Sequence, residues 1–221
     1  MPKNSAISDY ASLVFDVDGT LVNSVGDITT AMSMTMTDMG YPPLPPGYIM
    51  PNLHSTSDII IADVCNDRGC PVPEDMPAVR AMFYRNYAQF GHNSSTLYPG
   101  VREFLDLCAQ RGQQLAVCTN KKEDIARQVL SRLGILDHFQ AITGCDTYEE
   151  PKPSALPLLK TLEQIGGSHE DAIFFGDTHV DAECAQRSQV SFVLHRPGYG
   201  SEAASRFPHL LAFDDYAALN I

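Results

Sequence analysis

Short apolar runs alternate with amphipathic segments over most of the chain. The strand-like runs are "YASLVFD", "QLAVCTN", "FQAITG", "DAIFFGD" and "VSFVLH". The segments between them have helical spacing and carry glycine or proline near their ends: "YPGVREFLDLCAQRG", "KEDIARQVLSRLG", "PSALPLLKTLEQIGG" and "VDAECAQRS". Short buried strands that alternate with helices predict βαβ units and a parallel sheet.

Residues 25–92 follow a different pattern. Their apolar positions recur at helical spacing, and no segment has the alternation of a strand. Asp27 is predicted to cap the first helix, and Gly40 to end it. We therefore predict an α/β fold, a doubly wound parallel sheet of residues 1–22 and 96–221, with an all-helical subdomain of residues 23–95 inserted after the first strand.

Composition narrows the range of partners. The chain has 221 residues, of which 44% are hydrophobic, and a formal net charge of −12. Such an acidic chain is a poor general binder of nucleic acid or of an anionic membrane, so we expect neither as a partner. Residues 1–10 are polar and predict no secretory signal. The cysteines form no CxxC pair, which favours reduced thiols and a cytoplasmic location.

The stretch "LVFDVDGTLVNS" places Asp16 and Asp18 two residues apart after an apolar run. An Asp-Gly turn in a hairpin is one interpretation. A calcium loop is excluded by spacing, because Leu21 stands where the loop needs glycine. In a third interpretation both carboxylates face one cleft at the carboxyl end of a parallel strand. Two carboxylates there need a cation, and Mg²⁺ suits their oxygen ligands.

Polar residues also follow other predicted strands. Thr119 and Asn120 end one, Asp177 ends another with Asp181 four residues later, and Lys152 lies between a strand and a helix. Each has an ordinary alternative: Thr119 or Asp177 could cap a helix, and Lys152 could be a solvated loop residue. Together, at the ends of separate strands, they indicate one polar rim with catalytic chemistry.

The motifs "DVDGTLVNS", "VCTNK", "EPKPS" and "GDTHVD", in this order, resemble the four signature motifs of the haloacid dehalogenase-like hydrolase superfamily. The resemblance extends over essentially the whole chain. The helical insertion and the "YPGV" helix are similar to the phosphoglycolate phosphatase-like group. The resemblance implies a Rossmann-like catalytic core, with the insertion acting as a helical cap over the site.

The resemblance also implies a role for each motif residue. Asp16 would be the nucleophile that forms an aspartyl-phosphate, and Asp18 the general acid and base. Thr119 and the backbone N–H of Asn120 would contact phosphoryl oxygens, and Lys152 would stabilise the transferring charge.

A magnesium site is implied by the same motifs. Its ligands would be Asp16, the backbone carbonyl of Asp18, and Asp177. Asp181 would orient ligands without binding the metal itself. The expected activity is Mg²⁺-dependent hydrolysis of a small phosphorylated metabolite, 2-phosphoglycolate or a sugar phosphate.

The inserted subdomain bears on the substrate. It contains no lysine, which disfavours the phosphonoacetaldehyde hydrolase relatives. In "MPNLHSTSD", His54 is the best candidate for a substrate contact, although Ser55–Ser57 could simply cap a helix. Two alternatives stay open: a phosphomutase of the β-phosphoglucomutase kind, and a non-catalytic ligand-binding member. We expect a monomer or a homodimer.

Overall fold

The computed structural model describes residues 6–53, 55–89 and 93–219. It divides into two compact units. The sheet unit comprises the chain up to Asn23 and from Thr96 onward, and the helical unit comprises Ser24–Ser95. In the described part of the chain, no helix has the length and apolarity needed to cross a bilayer.

The described elements are short and follow the predicted alternation. The strands are β1 (Ser12–Phe15), β2 (Val22–Asn23), β3 (Thr96–Leu97), β4 (Gln114–Cys118), β5 (Ala141–Thr143), β6 (Ala172–Gly176), β7 (Ser191–His195) and β8 (Leu211–Phe213). The helices are α1 (Val25–Asp38), α2 (Ser57–Asp67), α3 (Met76–Gln89), α4 (Val101–Gln110), α5 (Glu123–Arg132), α6 (Leu156–Gln164), α7 (His179–Ser188) and α8 (Ser201–Ala204).

The sheet unit is built on a parallel sheet of order β5-β4-β1-β6-β7-β8. In β1, Phe15 lies opposite Val117 of β4 on one side and Phe175 of β6 on the other. The α/β prediction is confirmed, and the hairpin interpretation is wrong, because β1 pairs with β4 and β6 rather than with the residues after the Asp-Gly turn. The strand order reverses at β1, which is where sheets of this kind bind ligands.

Adjacent residues of each strand point to opposite faces of the sheet, and each face is covered by helices. Phe15 and Phe175 pack on one face with Phe104 of α4 and Val129 of α5. The other face buries a second apolar cluster that includes Phe174 of β6, together with residues of α6 and α7. Burial on both faces explains why the strands read as continuous apolar runs.

A two-stranded ribbon joins the two points where the chain leaves and re-enters the sheet unit. Val22 pairs with Leu97 and Asn23 with Thr96, antiparallel. The sequence did not predict this ribbon or the edge strand β8, because elements of two or three residues are too short to show a period.

The helical unit buries apolar side chains of all three helices, including Met32, Met36, Ile61 and Phe83. Gly40 has φ +85 directly after the last residues of α1, as predicted. Asp27 does not cap α1.

α1 begins at Val25, so Asp27 lies inside its first turn. The Asp27 carboxylate instead accepts hydrogen bonds from the backbone N–H of Ser94 at 3.0 Å, and from the N–H and Oγ of Ser95 at 2.7 and 2.6 Å. It thereby ties the first helix to the end of the unit.

Candidate active site

Three strand ends bring the predicted residues together. Asp16 follows β1, Thr119 follows β4 and Asp177 follows β6, and these strands are neighbours in the sheet. Lys152 reaches the same edge from the segment between β5 and α6. Asp16 is fixed at the edge because its N–H donates to the carbonyl of Phe175 in β6 at 2.9 Å.

The Lys152 ammonium is buried between two carboxylates. Its Nζ lies 2.9 Å from Asp16 Oδ1 and 2.5 Å from Asp181 Oδ1, and the side chain is 2% exposed. Burial alone would lower the pKa of Lys152, but the charges of Asp16 and Asp181 outweigh it and hold the pKa well above its usual value. Lys152 is therefore charged. The alternative interpretation of Lys152 as a solvent-exposed loop residue is wrong, because its side chain is buried.

The side chain of Asn120 holds the backbone of Lys152. Its Nδ2 donates to the Lys152 carbonyl, and its Oδ1 accepts from the Lys152 N–H, both at 3.0 Å. The amide thus pairs with both polar groups of one residue, which fixes the position from which the ammonium extends. The sequence did not predict this side-chain contact. The only role predicted for Asn120 was a hydrogen bond from its backbone N–H to a phosphoryl oxygen.

Asp177 is fully buried, and its carboxylate is held by hydrogen bonds and enclosed by two glycines. Its Oδ1 accepts from Thr20 Oγ1 at 3.0 Å, and its Oδ2 accepts from the N–H of Tyr199 at 2.6 Å. A Cβ on Gly19 would lie 2.2 Å from Asp177 Oδ2, and one on Gly198 2.1 Å from Asp177 Cβ. Only glycine at both positions leaves space for this carboxylate.

Asp181 links the start of α7 to the lysine. Thr178, not Asp177, caps this helix, and Asp181 Oδ2 accepts from the N–H and Oγ1 of Thr178 at 3.1 and 2.6 Å. The other oxygen of Asp181 faces Lys152. The helix cap therefore sets the carboxylate in place.

Asp16, Asp177 and Asp181 form what we call the acidic cluster. Each offers one oxygen, and these oxygens all lie within 4.8 Å of one another. Burial raises the pKa of Asp16 to about 6; Lys152 opposes this rise and the Asp181 charge adds to it. Burial and the charges of Asp181 and Asp16 also raise the pKa of Asp177. Three buried carboxylates sharing one ammonium lack positive charge, and their oxygens suit a hard divalent cation.

Asp18 lies outside the acidic cluster and has its own cation. Lys121 Nζ donates to both Asp18 oxygens, at 3.0 and 2.8 Å, and the two side chains are 6% and 18% exposed. No role for Lys121 was predicted from the sequence. Its position directly after Thr119 and Asn120 was an available signal, since β4 is the neighbour of β1.

The loop that carries Asp18 is held through its backbone. Gly19 has φ +87, its N–H donates to the carbonyl of Val22 at 2.9 Å, and its carbonyl accepts from His195 Nδ1 at 2.7 Å. Burial lowers the pKa of His195, whose ring packs against Tyr98 and other aromatic rings. Nothing local in the sequence links residue 195 to this loop.

Thr119 is 3% exposed, and its N–H donates to the carbonyl of Thr143 at 2.9 Å. Its Oγ1 accepts from the N–H of Lys121 at 3.2 Å. The hydroxyl is therefore at the strand end and also orders the turn into α5. His54 lies outside the described residues, so its predicted substrate contact stays a prediction.

Comparison with known proteins agrees with the four motifs. Residues 13–195 match the haloacid dehalogenase-like hydrolase family. Phosphoglycolate phosphatase of Rhodospirillum rubrum is 31% identical, over 94% of this chain and 88% of that protein. The Agrobacterium fabrum enzyme of the same name is 32% identical, over 93% and 89%. A crystal structure described as a predicted phosphoglycolate phosphatase from Haemophilus somnus has a TM-score of 0.86 and 26% identity, over 96% and 97% of the two chains.

Proposed function

This chain belongs to the haloacid dehalogenase-like hydrolase family, as a phosphatase of its phosphoglycolate phosphatase-like group, and from that premise we propose that it hydrolyses a small phosphomonoester with Mg²⁺. The proposal rests on the surroundings of Asp16. Its carboxylate contacts Lys152 and lies beside Asp177 and Asp181, at the point where the strand order of the sheet reverses. The first candidate substrate is 2-phosphoglycolate, after the names of the relatives, and a sugar phosphate is the second.

In the first half-reaction a carboxylate oxygen of Asp16 attacks phosphorus and the bond from phosphorus to the leaving oxygen breaks. Asp18 donates a proton to that oxygen, so the product leaves as an alcohol. Lys152 and the hydroxyl of Thr119 contact the phosphoryl oxygens and stabilise the charge that develops on them. The result is a phosphorylated Asp16.

In the second half-reaction Asp18 takes a proton from a water molecule, whose oxygen attacks the same phosphorus. The bond between phosphorus and the Asp16 carboxylate oxygen breaks, which releases phosphate and restores the nucleophile. One carboxyl group thus serves as acid and then as base. Lys121 donates to both oxygens of Asp18, and when Asp18 carries the proton its carbonyl oxygen remains the acceptor for the ammonium.

The residues proposed to hold Mg²⁺ are Asp16, Asp177 and the backbone carbonyl of Asp18. The lack of positive charge in the acidic cluster supports this, and so does its all-oxygen donor set. When bound, the cation neutralises phosphoryl charge and orients the phosphate for in-line attack. Asp181 positions Lys152 and is not assigned to the metal.

We assign the helical unit the part of a cap that excludes water and contacts the leaving group. Its support is connectivity, since the chain enters this unit a few residues after Asp18 and returns through the β2–β3 ribbon. A cytoplasmic location is proposed because the six cysteines form no disulfide with one another.

The test is a phosphate-release screen of 2-phosphoglycolate, sugar phosphates and p-nitrophenyl phosphate with Mg²⁺, with Asp16→Asn as the blank. We expect turnover that EDTA abolishes and Mg²⁺ restores. Activity that survives chelation contradicts the metal assignment, and activity that survives Asp16→Asn contradicts the nucleophile. A requirement for a sugar bisphosphate with little phosphate release would indicate a phosphomutase instead.

A further inference from the structure

Two lysines stand at the edge of the sheet and they serve different carboxylates. Lys152 is 2% exposed and lies between Asp16 and Asp181, where phosphoryl transfer is proposed. Lys121 lies against Asp18, to which it donates two hydrogen bonds. Since Asp18 is proposed to protonate the leaving oxygen, the Lys121 ammonium stands on the leaving-group side of the reaction.

The carboxylates at this edge of the sheet repel an anionic leaving group unless a cation compensates them. Asp16, Asp18, Asp177 and Asp181 bring carboxylates to this edge of a chain whose formal net charge is −12. A leaving group that carries a carboxylate would be repelled by the negative charge of this edge. An ammonium beside Asp18 removes that repulsion, because it has several donors and can serve two carboxylates at once.

A neutral leaving group would need no such cation. Lys152 cannot supply it, because Asp16 and Asp181 hold its ammonium in the acidic cluster. The position of Lys121 is also well defined, since its N–H donates to Thr119 Oγ1 and its carbonyl accepts from the N–H of Cys145 at 3.0 Å. The lysine is thus anchored by its backbone and reaches Asp18 with its side chain.

We propose that Lys121 determines specificity by binding a carboxylate carried by the leaving group, so that this side chain sets the preference for an acidic over a neutral ester. This inference rests on the proposed function and narrows its substrate class. When Lys121 binds the substrate carboxylate, it gives up one of its two hydrogen bonds to Asp18, and that oxygen of Asp18 is free to act on the ester oxygen. Substrate binding and the freeing of Asp18 are then one event.

The competing interpretation is that Lys121 only compensates Asp18 and orders the loop after β4. In that case its loss harms every substrate alike, because all leaving oxygens depend on Asp18. A role in recognition instead harms only substrates that carry the anion. The ratio of kcat/KM for a charged and a neutral ester of the same length separates the two.

The experiment compares 2-phosphoglycolate with 2-hydroxyethyl phosphate, in which a hydroxyl replaces the carboxylate, in wild type and Lys121→Met. We expect the ratio of kcat/KM for the two esters to fall at least about tenfold in Lys121→Met, as when one partner of a close charge pair is removed. Lys121→Arg should keep most of the ratio. Lys122→Met, a change of the neighbouring lysine, should leave it unaltered.

A second measurement avoids the chemical step. Glycolate should inhibit wild type more strongly than ethylene glycol does, and Lys121→Met should lose that difference. Thermal unfolding shows whether Lys121→Met is folded. If it is not, Lys121→Gln takes its place, since this change removes the charge and keeps a hydrogen-bond donor. Equal losses on both esters, or an unchanged inhibition by glycolate, overturn the inference.

Phosphate release by the wild-type enzyme distinguishes a wrong role for Lys121 from a wrong proposed function. A wild-type enzyme that hydrolyses both esters equally well keeps the phosphatase proposal and overturns the role of Lys121. A wild-type enzyme that releases no phosphate from any ester with Mg²⁺ removes the proposed function, and the inference falls with it.

Discussion

Two regions of the molecule bury aspartate side chains to a similar extent and satisfy them in different ways. Asp27 of the helical unit is 4% exposed, and Asp16 of the sheet unit is 6% exposed. Asp27 accepts hydrogen bonds from neutral donors on Ser94 and Ser95. Asp16 shares the single ammonium of Lys152 with Asp181, in a cluster with Asp177.

The difference separates Asp27, whose hydrogen bonds stabilise the fold, from Asp16, which we propose as the nucleophile. Neutral donors at close range satisfy Asp27 without bringing another charge into the interior. Burial raises the pKa of Asp16 and Asp177 and the Asp181 charge adds to the rise, in a cluster that holds three carboxylates and one ammonium. Burial alone therefore does not mark the site; burial with a local lack of compensating charge does.

The strongest test of this comparison is Asp16→Asn. Loss of the nucleophile should reduce kcat by at least about 10⁴-fold, because the covalent route is closed. The free energy of unfolding of the metal-free protein should not fall, since the change removes a charge from a crowded cluster. Phosphate release and urea unfolding are the two measurements, and a clear loss of stability would place Asp16 with Asp27 as a structural residue.

Asp27→Ala should give the opposite result. Its removal leaves the donors of Ser94 and Ser95 unpaired in the interior, at a cost of about 3 kcal/mol in the free energy of unfolding. Measured on folded protein, kcat should change far less than in Asp16→Asn. Asp63→Ala is the control, because the hydrogen bond from Asn52 to Asp63 lies at the surface, and its loss should cost little. A stability equal to that of the control contradicts the contrast.

The dependence of stability on pH sharpens the comparison further. Burial raises the pKa of Asp16 from 3.8 to about 6, so without metal the folded protein binds more protons than the unfolded chain between these values. The free energy of unfolding therefore falls as pH rises through that window, by on the order of 2–3 kcal/mol. This contribution is complete below the lower value and lost above the upper one.

The measurement is urea unfolding in EDTA at several pH values, for wild type and Asp16→Asn. The difference between the two proteins isolates Asp16 from other acids, including Asp177. We expect Mg²⁺ at saturating concentration to stabilise the protein most at the neutral end, where Asp16 is ionised. Parallel pH profiles for the two proteins would show that Asp16 is not perturbed.

The smallest expected effect concerns Asn120, whose side chain holds the backbone of Lys152. Asn120→Ala should lower kcat by roughly 10- to 100-fold, because a small displacement of the ammonium weakens its contact with the phosphoryl group. KM should change less. The matched control is Gln140→Ala, which also removes an amide that bonds a backbone group, the N–H of Leu115 at 2.6 Å, but near the amino end of β4, opposite the end that Thr119 follows. A similar kcat for both variants contradicts the positioning role of Asn120.

The sequence predicted the sheet and most of the polar residues at its strand ends, because both produce patterns within a few neighbouring residues. Continuous apolar runs marked β1, β4 and β6, and the first polar residues after them were Asp16, Thr119 and Asp177. The carboxyl ends of parallel strands share one edge, so these residues had to approach each other once the strands were neighbours.

The missed contacts join residues far apart in the chain. Asp27 has the sequence context of a helix cap, yet its partners are 67 and 68 positions away. The amide of Asn120 meets Lys152, and the ring of His195 meets Gly19, only after the sheet has formed. Periodicity and capping rules see neighbours within a few residues, so no local signal could have revealed these pairs.

The β2–β3 ribbon has a consequence for how this molecule could diversify. Two strands of two residues, paired antiparallel, hold together the two points where the insertion begins and ends. Because the entropy of closing a loop grows slowly with its length, a longer, shorter or differently folded insertion costs the sheet unit little. The ribbon is thus a point at which insertions of different length or fold could be exchanged while the strand ends that carry Asp16, Thr119 and Asp177 keep their positions.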